Sequence, residues 1–369
     1  MGDMAENAVR TSLLKSKDAA INARAVNVTI LLLLAFELAT GLGSFLIGDL
    51  AGWWLFWSHR AGGLALVVLL IWKVGIAVRS YRRRGITIGT GLSALGGVLF
   101  LGALATGLLW ATVGLSWVPV PVLGSWTVLS LHVALSLLLI PLFLVHLGLR
   151  WPRPSRADLI GRRAVLRMLG LLAIGLVFWR VQEILAALVA PSGSRRRFTG
   201  SREEASFAGN LYPVTNWLSD PIPQVDPGRW RLQIHGEVEH ETVLSYEEIL
   251  TLGGGTLRQA TLDCTGGWYT VQRWSGLPVA ALLERAGLED NARSLVFRST
   301  TGYSRRFAID EAGGLLLATH VGDEKLSAEH GFPLRLVAPG HRGYGWVKWI
   351  SEVEVSRDPG WLESPLPLQ

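Results

Sequence analysis

Residues Ala260-Thr261-Leu262-Asp263-Cys264-Thr265-Gly266-Gly267-Trp268 carry the only cysteine in a chain of 369 residues. The run before Cys264 reads as a strand, and Gly266-Gly267 predict a tight turn that lets backbone approach closely. A lone cysteine is most often a small buried hydrophobe. Here polar neighbours and a glycine turn surround it, and its thiolate would be a soft ligand for a transition metal. One cysteine excludes an intrachain disulfide, a Cys-rich zinc site and a Cys-ligated iron–sulfur cluster.

Outward from this stretch, the chain beyond residue 198 reads as α+β. Trp230-Arg231-Leu232-Gln233-Ile234-His235 alternates like a half-buried strand, and Leu334–Val337 and Val353–Val355 are further strands. Ser245 with Glu248 forms a capping box for a short helix. A second helix starts at Pro278 and stops at Gly287. Gly253-Gly254-Gly255 is a turn with no phosphate-loop signature. About 170 residues suffice to bury a core.

The first half differs. Overall, 50% of residues are hydrophobic, 17% are charged and mean hydropathy is +0.34, which excludes intrinsic disorder. Residues 1–190 hold 17 Lys+Arg against 7 Asp+Glu, and residues 191–369 hold 18 against 22. The basic balance therefore belongs to loops of the first half, not to a nucleic-acid surface. Five apolar runs near 27–48, 57–78, 92–115, 126–149 and 165–190 are long enough to span a bilayer. Segments 1–26, 79–90 and 150–167 carry 14 positive charges, and the opposite loops carry only Arg60. The positive-inside rule places the N-terminus in the cytoplasm and residues 191–369 outside. Arg195, Arg196 and Arg197 oppose this weakly, because they flank a long domain. Trp53, Trp54, Trp57, Trp117 and Trp126 then form an outer aromatic belt. Gly161-Arg162-Arg163-Ala164-Val165-Leu166-Arg167 is similar to a twin-arginine export signal placed internally. The plain alternative is that its two arginines merely flank a cytoplasmic helix end, and a cofactor-loaded domain downstream would favour the export signal.

His59, His132 and His146 are the only histidines of the first half, and all fall in or at the ends of the spans. His132 and His146, 14 residues apart in span four, are separated by roughly 21 Å along the axis and share a face. Imidazole is an axial ligand of haem iron. A His59–His132 pair would clamp one haem b between antiparallel spans; interhelical hydrogen bonding is the bland alternative. His146 lacks a histidine partner, so a second haem is open. Lys73 on span two could serve there as a ligand or as a propionate counter-charge, or it could snorkel to the headgroups. Glu37, mid-span, could relay protons to a quinone or hydrogen-bond a neighbouring helix while neutral.

The segments "ATLDCTGGW…WSGLPVAALL" and "HGFPLRLVAPGHRGYGWVKWISEVEV" resemble the molybdopterin-binding domain of the sulfite oxidase family over about 210–356. Within it they look most like periplasmic protein-methionine-sulfoxide reductase catalytic subunits. The resemblance implies that Cys264 gives its thiolate to molybdenum. It also implies that Tyr212, Ser299, His330, Arg335, Trp346, Val347 and Lys348 hold the pterin, Arg335 and Lys348 at its phosphate and 346–348 through backbone N–H groups. An Asn-Arg pair that follows the cysteine in sulfite oxidases is here Gly267-Trp268. The dimerisation domain of those enzymes is not found before Gln369, and Gly345 stands where the sulfoxide reductases carry a lysine. His341, Arg342, Arg305 and Arg306 are candidates for an anion-facing rim or for surface charges.

The expected fold is therefore multi-domain. A four-span cytochrome b-like bundle (1–160) and a fifth span with linker (161–197) precede an α+β sulfite-oxidase-type molybdopterin-binding domain (198–369). The expected function is a prokaryotic, membrane-anchored molybdenum oxidoreductase. It would transfer an oxygen atom to or from a small oxo-donor or oxo-acceptor and exchange electrons through haem b with the quinone pool. The alternatives are a haem-b electron-transfer protein whose soluble domain docks a partner without molybdenum chemistry, and a non-redox membrane-anchored binding module.

Overall fold

The computed structural model describes residues 23–113, 117–121, 124–150, 162–189, 196–216, 220–253 and 255–364. Arg10, Lys15, Lys17, Arg153, Arg156 and Arg195, and Gly161 of the twin-arginine-like stretch, lie outside them. By its contacts the chain divides into two compact units.

The first unit comprises Met1–Gly41, Leu55–Thr112 and Leu131–Val189. It is built on α1 (Ala23–Leu46), α2 (Trp53–Arg84), α3 (Ile88–Val113), α4 (Val128–Arg150) and α5 (Arg162–Val189). Val26, Ile30 and Leu33 of α1 recur at helical spacing and pack on Ala65, Leu66 and Leu69 of α2. The outward faces are apolar too: Ile71, Val98, Leu138 and Leu188 are all well exposed. Helices apolar on every side need an apolar surrounding, and α1 to α4 are long and apolar enough to cross a membrane. The fifth expected span forms one 28-residue helix, α5, but does not join those four. Its second half carries Arg180, Gln182 and Glu183, with an Arg180–Glu183 ion pair at 3.3 Å. Gln182 donates to the Ala111 carbonyl, and Gly175 lets α5 lie directly on the Ala61 carbonyl of α2.

The second unit comprises Leu42–Trp54, Val113–Ser130 and Ala190–Gln369. β1 (Trp117–Val120) and β2 (Gly124–Thr127) form an antiparallel hairpin. One sheet is centred on the 11-residue β7 (Trp268–Pro278). β7 pairs with β6 (Leu257–Asp263), β10 (Leu316–Val321) and the short β3 (Arg202–Glu203). β11 (Glu324–Lys325) and β12 (Arg335–Val337) pair with β10. The other sheet runs β5 (Thr242–Ser245), β4 (Arg231–Gly236), β13 (Ile350–Ser356), β8 (Ser294–Ser299) and β9 (Ser304–Ala308), with β4 and β13 parallel. The expected strands thus appear as β4, β12 and β13. The capping box forms at α6 (Tyr246–Gly253): Ser245 N–H donates to Glu248 Oε2 at 2.8 Å, and Glu248 N–H to Ser245 Oγ at 3.3 Å. The helix α7 (Val279–Ala286) ends at Gly287, whose φ of +67° closes it.

Two segments that connect helices in sequence take part in this unit. Gly48 lies against the backbone of Gly340 and His341. Its carbonyl accepts from Arg197 Nη2 at 3.4 Å. The Phe45 ring packs on Tyr344 at 6.4 Å between centroids. Thr127 Oγ1 donates to the Gly266 carbonyl at 2.7 Å.

Gly276 in β7 has no room for a side chain, because a Cβ there would land on the Leu317 carbonyl oxygen. Gly276→Ala is expected to destabilise the second unit by about 1–3 kcal/mol, read as a lowered midpoint of its thermal unfolding.

Candidate active site

β6 delivers Cys264 at its end, as the sequence predicts. The turn is closed by Gly267 N–H to Cys264 O at 3.0 Å and Cys264 N–H to Trp268 O at 2.9 Å. Gly267 has φ +93°, a conformation open to glycine. The Gly266 N–H donates to Cys264 Sγ at 3.3 Å. Burial pushes the thiol pKa up, while the Gly266 N–H and the Arg342 charge pull it back. A bound cation would displace the proton outright.

Asp263, next to the cysteine, is 1% exposed. Its carboxylate accepts from Ser201 Oγ at 2.6 Å and Thr199 Oγ1 at 2.8 Å. It meets Arg342 Nη1 at 3.0 Å and Arg197 Nε at 3.5 Å. Arg342 Nη2 also donates to Cys264 O at 3.2 Å. Arg342 is therefore buried in the support of the cysteine turn and is not part of an anion-facing rim. The other rim candidates are also engaged. Arg305 pairs with Glu363 at 2.8 Å, His341 with Glu311 at 2.5 Å, and Arg306 with Ser294 Oγ at 2.7 Å.

A cleft opens beside the thiol. Among its walls are Tyr212, Ser299, His330, Arg335, Trp346 and Lys348, all sequence candidates. Val347 is buried and does not line it. The Trp346 and Val347 N–H groups go to the Gly343 and Gly345 carbonyls at 3.1 and 3.2 Å. The short helical turn at 343–345 thus consumes two of the backbone donors expected for a phosphate. His330 is spent within the protein as well: Nε2 meets Tyr212 O at 2.9 Å and Nδ1 meets Ser327 Oγ at 2.7 Å. Burial, with the Arg335 and Lys348 charges, pushes its pKa down to about 4. It is a neutral ring that holds Tyr212 rather than a cation in the cleft. Ser299 Oγ shares a hydrogen bond with Thr301 Oγ1 at 3.0 Å.

The cleft contains the buried Arg335 and the half-buried Lys348. Arg335 Nη1 donates to His330 O at 2.9 Å, and its Nε has no partner among the described residues. Lys348 Nζ donates to Asn216 Oδ1 at 2.6 Å, Glu329 O at 2.8 Å and Thr215 O at 3.2 Å. Burial, with the Arg335 charge, pushes its pKa down to about 7. Tyr212 Oη is buried and also without a partner, and burial pushes its pKa up to about 12. Two orphaned donors and a lysine whose ammonium is destabilised by burial and by Arg335, around one cleft, fit an anionic, hydrogen-bonding group. Thr215, Asn216, Tyr303 and Tyr344 also line the cleft and escaped the sequence reading. They stand in loops with no local pattern.

In the first unit, His59 and His132 come together, with ring centroids 6.1 Å apart and planes at 79°. His59 Nδ1 lies 3.1 Å from Glu37 Oε2 and 3.1 Å from Thr40 Oγ1. His132 Nδ1 lies 2.7 Å from Ala103 O. No hydrogen bond among the described residues uses either Nε2. Gly41 and Gly107 lie against the two rings, where a Cβ would sit 3.2 and 3.1 Å from an imidazole atom. His146 instead meets Ser93 Oγ at 3.2 Å, and Lys73 donates to Asn27 Oδ1 at 2.9 Å. The structure does not bring Lys73 to His146 through either bond.

The Lys348 pKa has a consequence for protein prepared without cofactor. The folded value of about 7 lies below the ordinary lysine value of 10.5. Between them the unfolded chain binds more protons, so stability rises with pH from about 7 to 10 and is flat in this respect below 7. Thermal unfolding across pH 6–10 should show this rise, and Lys348→Met should flatten it.

Residues 219–361 match the family model described as oxidoreductase molybdopterin binding domain. The uncharacterized oxidoreductase YuiH of Bacillus subtilis is 29% identical over 45% of this chain and 90% of its own length. The protein-methionine-sulfoxide reductase catalytic subunit MsrP of Burkholderia mallei is 26% identical over 55% of this chain and 72% of its own. The mitochondrial sulfite oxidase of Drosophila melanogaster is 26% identical over 48% of this chain and 36% of its own. The geometry of the cleft and these likenesses together identify the chain as an oxidoreductase with a molybdopterin-binding domain.

Proposed function

We propose that the chain is a membrane-anchored molybdenum oxidoreductase that transfers an oxygen atom to or from a small substrate, with its cofactor bound beside Cys264. The observation that carries this is the meeting of one buried thiol with the unpaired Tyr212 Oη and Arg335 Nε in a single cleft. Cys264 would give its thiolate to the metal. Arg335 and Lys348 would take the pterin phosphate, as a fork and a point charge respectively. Tyr212 would add a hydrogen bond. When bound, the cofactor supplies a two-electron change coupled to oxygen-atom transfer. The protein supplies the rest. Gly266 N–H stabilises negative charge on Sγ, and the Asp263–Arg342 pair holds the turn that aims it. Folded walls of aromatic residues, Trp268, Trp346 and Trp349, limit water around the thiol.

His59 and His132 would hold one haem b, which would supply one-electron exchange for this centre. The two rings approach to 6.1 Å between centroids, and imidazole is an axial ligand of haem iron, which supports a shared site. Nδ1 engaged with a carboxylate, a hydroxyl or a carbonyl leaves Nε2 for the metal. The proposal is limited to one haem, because His146 has Ser93 beside it in place of a second imidazole. The charge asymmetry of the loops supports a cytoplasmic N-terminus, an extracytoplasmic second unit and α5 as a fifth crossing. In that arrangement a quinone pool is the natural electron partner, and the arginines at 162–163 act as an internal export signal.

Elemental analysis of the detergent-solubilised chain tests the reading. About one molybdenum and one haem iron per chain are expected. Cys264→Ser should abolish the thiolate-dependent molybdenum signal while haem remains. His59→Ala or His132→Ala should remove the haem absorbance and leave molybdenum. Iron without molybdenum, from a host shown to make the cofactor, would leave only an electron-transfer protein.

A further inference from the structure

Thr127, the last residue of β2, is 1% exposed although it lies in a short hairpin between two helices of the chain. Its hydroxyl proton goes to the Gly266 carbonyl at 2.7 Å. Its lone pairs face the Ser130 N–H at 3.1 Å, in the first turn of α4, and Ser130 Oγ at 3.0 Å. With its proton committed to Gly266, it is Ser130 that donates in this pair. Gly266 is thereby fixed at both ends, its C=O on Thr127 and its N–H on Cys264 Sγ at 3.3 Å. The atoms converge closely. A Cβ on Gly266 would lie 3.4 Å from Cys264 Sγ, 3.7 Å from Ser130 Oγ and 3.9 Å from Thr127 Oγ1. The opposite side of the turn is held independently by Arg342 on Cys264 O at 3.2 Å.

We infer that Thr127 is a positioning residue of the molybdenum centre, its hydroxyl orienting Gly266 so that the N–H points at the Cys264 sulfur. The inference rests on the reading of Cys264 as the metal's thiolate ligand. Groups that hydrogen-bond a ligand set its direction and electron density. Two glycines leave a turn conformationally permissive, so a hydrogen bond on the Gly266 carbonyl restricts it further. The hairpin at 117–127 is then a working part of the centre rather than a tether between helices, and the turn depends on a residue 139 positions upstream.

The test uses the full chain with its cofactor, reduced to Mo(V) and read by electron paramagnetic resonance, with molybdenum content and thermal unfolding alongside. Thr127→Val keeps the shape and removes the donor. It should retain a cooperative unfolding transition while the Mo(V) signal shifts and splits into more than one species, or while molybdenum is lost. Thr127→Ser should restore the wild-type signal, and Ser130→Ala should leave it unchanged. If Thr127→Val does not fold, Thr127→Ala serves in its place. A Thr127→Val signal superimposable on wild type would overturn the inference, as would a Thr127→Ser chain as disturbed as Thr127→Val. The two readings fail differently. A wild-type signal that Cys264→Ser leaves unchanged sinks the ligand assignment and the positioning role with it. A Cys264-dependent signal indifferent to Thr127 sinks the positioning role alone.

Discussion

A single buried carboxylate organises the second unit. Asp263 ends β6, and its partners come from remote parts of the chain: Thr199 and Ser201 precede β3, and Arg342 lies in the loop before β13. Burying one charge is costly, and removing a partner from such a pair typically costs about 3–5 kcal/mol. Asp263 and Arg342 therefore compel two distant loops to meet. Where they meet, Cys264 and Gly343 lie side by side, close enough that a Cβ on Gly343 would be 3.1 Å from Cys264 Cα. The pairing holds the cysteine turn, at the end of the β6–β7 ladder, beside the loop that carries Arg342.

The cations of the unit fall into two groups that separate support from binding. Arg342, Arg305 and Arg306 are each matched by a carboxylate. Arg335 and Lys348 hydrogen-bond to neutral oxygens of the backbone and of Asn216, and the Asp220 and Glu329 carboxylates act on Lys348 less strongly than burial and the Arg335 charge. Matched arginines hold loops in place. Cations whose hydrogen bonds go to neutral acceptors keep an attraction for an anion, and burial with the Arg335 charge depresses the Lys348 pKa. His330 completes the pattern, because it remains neutral and so avoids a third positive charge between them.

Much of this architecture is legible in the sequence, because it rests on local periodicity. Alternation marks β4, the Ser245–Glu248 box marks α6, and long apolar runs mark α1 to α4. The fifth run also forms a helix, though Arg180, Gln182 and Glu183 set it apart from the others. The cleft was read residue by residue through resemblance, and six of the seven pterin candidates line it. Two details were hidden for a physical reason. The engagement of the Trp346 and Val347 N–H groups depends on whether the backbone turns at 343–345, which no side-chain pattern announces. The roles of Arg342 and Thr127 depend on partners 78 and 139 residues away, so nothing near either residue signals them. His59 and His132 were legible because apolar helices leave few polar residues to choose among.

The second unit is discontinuous in the chain. Its parts are Leu42–Trp54, Val113–Ser130 and everything from Ala190 onward, and whole helices intervene between them. Synthesis produces Phe45, Gly48 and Thr127 first and the cysteine turn last. The segment that braces the Cys264 turn is therefore complete in the growing chain well before the turn it braces, and the turn gains its second hold only when residues 139 positions apart are brought together.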